Sequence, residues 1–110
     1  MGKFVAGDII VVPFPFTDLT QFKKRPALII KETGNGDYMC MMITSKAYSP
    51  AYSIEILSSD YVVSTLPVKS FIRYNRIFEA NEQIILKKAT SLTQAATNTA
   101  IKKLIAFLQP

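Results

Sequence analysis

The sequence predicts a mainly β domain, a small and strongly bent barrel or half-barrel finished by one C-terminal helix. Short apolar runs of strand-forming residues recur at hairpin spacing through the first 88 residues. Gly- and Asn-rich turn chemistry separates two of them at Thr33–Asp37. A helical period appears only at the C-terminal end, in Thr97, Ile101, Leu104, Ile105 and Leu108. With 110 residues, no internal repeat and no linker, the chain is expected to form one domain over residues 1–110.

The first strand is expected over about Asp8 to Val12. It ends in Pro13-Phe14-Pro15-Phe16, where proline lacks the N–H that a regular ladder needs. A polar loop then closes on Lys23-Lys24-Arg25, and Pro26 biases Arg25 towards an extended conformation. The second strand, about Ala27 to Glu32, pairs through the Thr33–Asp37 turn with a third, Tyr38 to Thr44. That third run is apolar almost throughout, as a central buried strand would be. Ser45 to Pro50 reads as a loop. Tyr52 to Leu57 then alternates, with Tyr52, Ile54 and Ile56 on one face.

After Pro67 a strand is expected from Val68 to about Asn75, with Lys69, Phe71, Arg73 and Asn75 on one face. A short strand centred on Ile84, Ile85 and Leu86 follows. Ser91 or Thr93 can cap the terminal helix, leaving Lys102 and Lys103 in solvent.

Composition narrows the chemistry. Hydrophobic residues at 49% and charged residues at 19% mark a globular chain. No apolar run approaches the ~20 residues of a membrane span. The N-terminus shows no basic segment leading into an apolar one, so no membrane association and a cytoplasmic location are expected. The one cysteine, Cys40, lies in an apolar run and is expected to be buried and inert. Thirteen basic against eight acidic residues give +5, a balance suited to a polyanionic partner. There is no histidine, which removes the commonest general acid/base and the commonest metal ligand. No metal site and no cofactor are expected.

Gly7-Asp8-Ile9-Ile10, Arg25-Pro26-Ala27-Leu28-Ile29 and Ile43-Thr44-Ser45 carry a resemblance. On these residues the chain resembles the MazF/PemK (Kid-like) family, ribosome-independent mRNA-cleaving toxins of type II toxin–antitoxin systems. The resemblance implies an SH3-like small barrel with a terminal helix, the plasmid-maintenance toxin fold shared with the gyrase-poisoning CcdB toxins. It implies a metal-independent, sequence-specific endoribonuclease acting on single-stranded RNA, and a homodimer inhibited by a cognate acidic antitoxin. By the same resemblance Arg25, Thr44 and Arg73 are the expected catalytic residues. A guanidinium can fork two phosphate oxygens, and a hydroxyl can hold and polarise the same phosphate.

Around them, Phe14, Phe16, Lys24, Ser45, Lys46, Lys69 and Asn75 are the expected substrate contacts. Phe14 and Phe16 suit either stacking of unpaired bases or filling of the barrel end. Tyr48 and Tyr52 bracket the loop after Thr44 and suit the same two roles. Kid-like members carry an aspartate where this chain has Asn75, and they use a histidine that this chain lacks. Asparagine cannot accept and release a proton, so the general base is left among Asp18, Glu79 and a substrate-assisted route. The substitution also keeps an alternative in view: a barrel that binds a protein target, as CcdB-like toxins do, or binds RNA without cutting it.

Overall fold

The computed structural model describes residues 3–15, 22–46 and 50–110. Six strands run β1 (Asp8–Pro15), β2 (Phe22–Gly34), β3 (Asp37–Thr44), β4 (Ser53–Glu55), β5 (Phe71–Asn81) and β6 (Lys87–Ser91), and α1 (Gln94–Leu108) ends the chain. They form one antiparallel sheet in the order β4-β5-β3-β2-β1-β6. The fold class is the expected one, but the sheet stays open. Among the described residues no ladder joins its outer strands β4 and β6, and a single bridge, Tyr61 with Leu92, lies outside the named strands.

Two cores lie on the two faces. Ile9, Leu28, Met41, Ile43 and Ile72 point to the helix side, where Ala100 is buried and Ala96, Ile101 and Leu104 pack against them. Ile10, Val12, Ala27, Ile29, Tyr38 and Cys40 form the second core, with Phe4, Phe14 and Phe78 over it. Each fully buried Ile or Leu contributes roughly 1.5–3 kcal/mol.

β1 corrects the expectation that the proline segment leaves the sheet, since it pairs with β2 as far as Pro15 opposite Phe22. The Val11 carbonyl accepts from the Leu86 N–H, on the β6 side of the strand. Two and four residues on, the nitrogens of Pro13 and Pro15 face that same side. There β6 has already ended, Val11 opposite Lys87 being its last pair, and no ladder bond is required of them. The expected polar loop is correspondingly shorter, and Lys23, Lys24 and Arg25 stand on β2 itself.

The hairpin between β2 and β3 turns where expected, through Gly34, Asn35 and Gly36 with φ of 112°, 56° and 79°. Tyr52 closes a 3₁₀ turn (Pro50–Tyr52), so only Ser53–Glu55 of the expected alternating strand pairs. β5 begins at Phe71 rather than Val68 and runs on to Asn81. Ile84, Ile85 and Leu86 are not a strand: Ile85 is buried as a plug under the second core while its neighbours are exposed.

Thr93 caps α1, its side chain accepting from the Ala96 N–H at 3.1 Å. Of the expected apolar stripe, Ile105 and Leu108 lie exposed. At the other end of β1, Asp8 is 4% exposed. It accepts from the Val5 N–H and the Ser91 hydroxyl, each at 3.0 Å, and pairs with Lys88 at 3.3 Å. No helix among the described residues is long and apolar enough to cross a membrane.

Candidate functional site

The ladder between β2 and β3 ends at Ala27 opposite Met42, although both strands continue past it. Residues facing each other across antiparallel strands share a face. Val11 directs its backbone groups to β6, so Pro26, opposite Val11, directs its own to β3. Pro26 should therefore donate to Ile43, and it has no N–H. Beyond that point the strands part.

The gap is a cleft of about 140 Å³, lined by Lys23, Lys24, Arg25, Pro26, Ile43, Thr44, Ser45, Val68 and Ser70. It brings together Arg25, Thr44, Ser45 and Lys24 from strands 20 residues apart in sequence. Extending the register of Ala27 with Met42 by two residues sets Arg25 opposite Thr44. Thr44 is buried, and its Oγ1 accepts from the Lys46 N–H at 3.1 Å, which fixes the hydroxyl at the cleft wall. Ser45 and Lys46 are exposed at the strand end.

Arg73 comes from the next strand. Thr44 faces Phe71, and Arg73 faces Met42, so Arg73 is the diagonal neighbour of Thr44 at about 7–8 Å between Cα atoms. Arg25, Thr44 and Arg73 thus belong to one face of three adjacent strands, the face away from α1. Arg25 and Arg73 are half-buried there. Among the described residues, no acidic side chain lines the cleft.

Asn75 falls in a bulge. Met42 faces Arg73 and Met41 faces Ile77, so Tyr74, Asn75 and Arg76 are three residues of β5 with none opposite them. Tyr74 turns to the helix side and donates to the Ala51 carbonyl at 2.6 Å. Among the described residues, Asn75 Oδ1 is the one buried side-chain polar atom without a hydrogen-bond partner. A buried acceptor left so costs about 1–3 kcal/mol.

The remaining expected contacts divide. Lys69 pairs with Glu55 at 3.6 Å, lies over the Phe71 ring, and does not line the cleft. Phe14 stacks edge-on against Phe78 with centroids 4.9 Å apart, as a cover of the second core. Tyr52 packs edge-on against Phe107 at 5.3 Å. Phe16, Asp18 and Tyr48 lie outside the described residues.

Glu79 accepts from the Thr33 hydroxyl at 2.7 Å and faces Met39, five residues along β3 from Thr44. At ~3.3 Å per residue that is about 16 Å away, too far to serve this cleft. Two lining residues carried no signal in the sequence, Val68 and Ser70. They belong to the segment after Pro67 that the sequence reads as strand. In fact Ser70 donates to the Val68 carbonyl at 2.8 Å and folds the segment against the cleft. Burial raises the Cys40 thiol to about 12, with Glu79 adding to it, so this cysteine is inert at neutral pH.

An open antiparallel sheet of six strands finished by a C-terminal helix matches the fold of a MazF-like toxin. The chain belongs to that family: residues 6–108 match the family model described as PemK-like, MazF-like toxin of type II toxin–antitoxin systems. Among solved structures it is similar to a MazE–MazF complex from Deinococcus radiodurans. The identity is 16%, with 96% of this chain and 95% of that one covered and a TM-score of 0.77. It is also similar to an endoribonuclease from a mycobacterial species, at 14% identity, 98% and 93% coverage and a TM-score of 0.73. A mycobacterial endoribonuclease in complex with its cognate antitoxin gives 14% identity, 98% and 100% coverage and a TM-score of 0.71. No match was found among curated protein sequences.

Proposed function

We propose that this toxin is a metal-independent endoribonuclease that cuts single-stranded RNA at a short sequence. The observation that carries the proposal is the parted β2–β3 ladder, with Arg25 and Thr44 on its two sides and Arg73 diagonal to Thr44. Two of the similar structures are described as endoribonucleases, which supports the same reading.

In the proposed reaction the ribose 2′-oxygen forms a bond to the adjacent phosphorus. The bond from phosphorus to the 5′-oxygen breaks, and that oxygen takes up a proton. The products are a 2′,3′-cyclic phosphate and a 5′-hydroxyl. Arg25 and Arg73 stabilise charge building on the non-bridging oxygens, and the Thr44 hydroxyl donates to one of them. Such donors, fixed before the reaction starts, are worth about 2.7–4 kcal/mol each. With Glu79 distant, the base is either Asp18 or a group of the substrate itself.

The toxin would act in the cytoplasm as a homodimer held by a cognate acidic antitoxin. A net charge of +5, and an antitoxin and MazE in two of the similar complexes, support that partner. The apolar end of α1, where Ile105, Phe107 and Leu108 are exposed beside Tyr52, suits contact with a second copy. Asn75 favours one further reading, RNA binding without turnover, since it cannot act as a base.

Replacing the single ribose at a mapped cleavage site by deoxyribose tests the chemistry. Cleavage there should stop, and the products cut from the all-ribose RNA should carry 2′,3′-cyclic phosphate ends. Cleavage of DNA, or a strict magnesium requirement, would contradict the mechanism.

A further inference from the structure

We propose that Tyr74 is a positioning residue for Arg73, securing it from the opposite side of the sheet; its effect on cleavage rests on the ribonuclease reading above. Arg73 stands at the end of both its ladders. Ser53 with Arg73 is the terminal pair of β4 and β5, because the 3₁₀ turn Pro50–Tyr52 comes directly before β4. On the other side, Met42 with Arg73 is the last pair of β3 and β5 before the bulge. Ladder ends are where strands fray most easily, and β4 is only three residues long. The guanidinium that has to meet a phosphate held by Thr44 therefore hangs from a weak point of the sheet.

Tyr74 ties that point down. Its ring is 8% exposed in the helix-side core, edge-on to Tyr52 and to Phe107, with centroids 6.4 Å away in both cases. Its hydroxyl donates to the Ala51 carbonyl at 2.6 Å. Ala51 is the middle residue of the turn that leads into Ser53, and Phe107 belongs to the last turn of α1. One side chain thus joins the start of β4, the end of α1 and the bulge of β5, one residue from Arg73. Successive residues of a strand point to opposite faces, so fixing Tyr74 on the helix side fixes the direction in which Arg73 leaves the other face. The ring alone would fill the core as a phenylalanine does. The hydroxyl serves the turn.

Tyr74→Phe removes the hydroxyl and keeps the ring. Single-turnover cleavage of an RNA carrying one mapped site, at a temperature where every variant is folded, separates the rate at saturation from the half-saturating concentration. The variant should be about ten-fold slower at saturation, as a displaced transition-state contact would make it, with half-saturation within about two-fold of wild type. A loss of stability alone would leave the saturated rate where it was. Placed beside Arg73→Lys, Tyr74→Phe should slow cleavage by less than about two-fold further, because the contact through which it acts has already been changed.

Amide hydrogen exchange reads the same positioning without RNA. In Tyr74→Phe, exchange at Arg73 should quicken by at least about ten-fold relative to exchange at Ile9, which is paired on both sides in the β1 ladders. The proposal is overturned if Tyr74→Phe cuts at the wild-type rate, if it slows Arg73→Lys as much as it slows wild type, or if exchange at Arg73 keeps pace with Ile9. If wild type itself does not cut RNA, the ribonuclease reading has failed, and the exchange comparison alone decides whether Tyr74 secures Arg73.

Discussion

Pro26 stands one residue beyond the last ladder pair of β2 and β3, opposite Ile43, and has no N–H to give it. The parting of the strands that makes the cleft therefore begins at a residue chosen for what it lacks. Arg25, immediately before it, is held extended at the mouth.

Pro26→Ala should close the ladder by one bond and narrow the cleft. The added hydrogen bond is worth about 1 kcal/mol, and losing the proline's restriction of the unfolded chain costs about 0.4–1 kcal/mol. Stability should thus be nearly unchanged while RNA cleavage falls by at least about ten-fold, as one transition-state contact is displaced. Thermal unfolding and cleavage rates on one preparation check both halves.

Thr44→Val tests the hydroxyl. Its fold cost is the single bond accepted from the Lys46 N–H, about 1 kcal/mol. Cleavage should drop about 10²–10³-fold, as when one donor to a developing oxyanion is removed. Thr44→Ser, which keeps the oxygen, should recover most of the rate in the same assay.

Asn75→Leu should stabilise the protein, by about 1–3 kcal/mol, because it removes a buried oxygen with no partner among the described residues. RNA affinity should fall at the same time. Urea unfolding with an RNA-binding titration measures the pair. A loss of stability would mean that Asn75 is a structural part of the β5 bulge.

Cys40 sets an alkaline limit. Burial raises its thiol to about 12 in the fold, from an ordinary value of 9.0. Above pH 9 the unfolded chain loses this proton while the native chain keeps it. The stability contributed is complete below pH 9 and is lost as pH rises towards 12, at a limiting slope of about 1.4 kcal/mol per pH unit. Cys40→Ala should flatten that limb in denaturant curves taken between pH 8 and 11.

The local features of this fold were legible in the sequence, and the sites that depend on register were not. The Gly34–Gly36 turn, the apolar third strand and the Thr93 cap rest on neighbours in the chain. So does the burial of Cys40, and all four stand where the sequence places them. Pro13 and Pro15 misled because whether a missing N–H matters depends on where β6 ends. Ile84 to Leu86 look like a strand by composition, yet their apolar character serves one plug, Ile85.

Arg25, Thr44 and Arg73 are marked in the sequence by the family resemblance. Their common face, the cleft between the first two and the exclusion of Glu79 follow only from which residues sit opposite one another. The bulge at Tyr74–Arg76, which leaves Asn75 with no residue opposite it on β3, is likewise invisible in the sequence.

The most direct test of the central claim is cleavage of a long single-stranded RNA in excess chelator by purified toxin, freed of antitoxin, beside its Arg25→Ala variant. The account predicts cuts by wild type at a short recurrent sequence and none by the variant at equal concentration. An intact RNA in both lanes, or equal cutting by both, would contradict it.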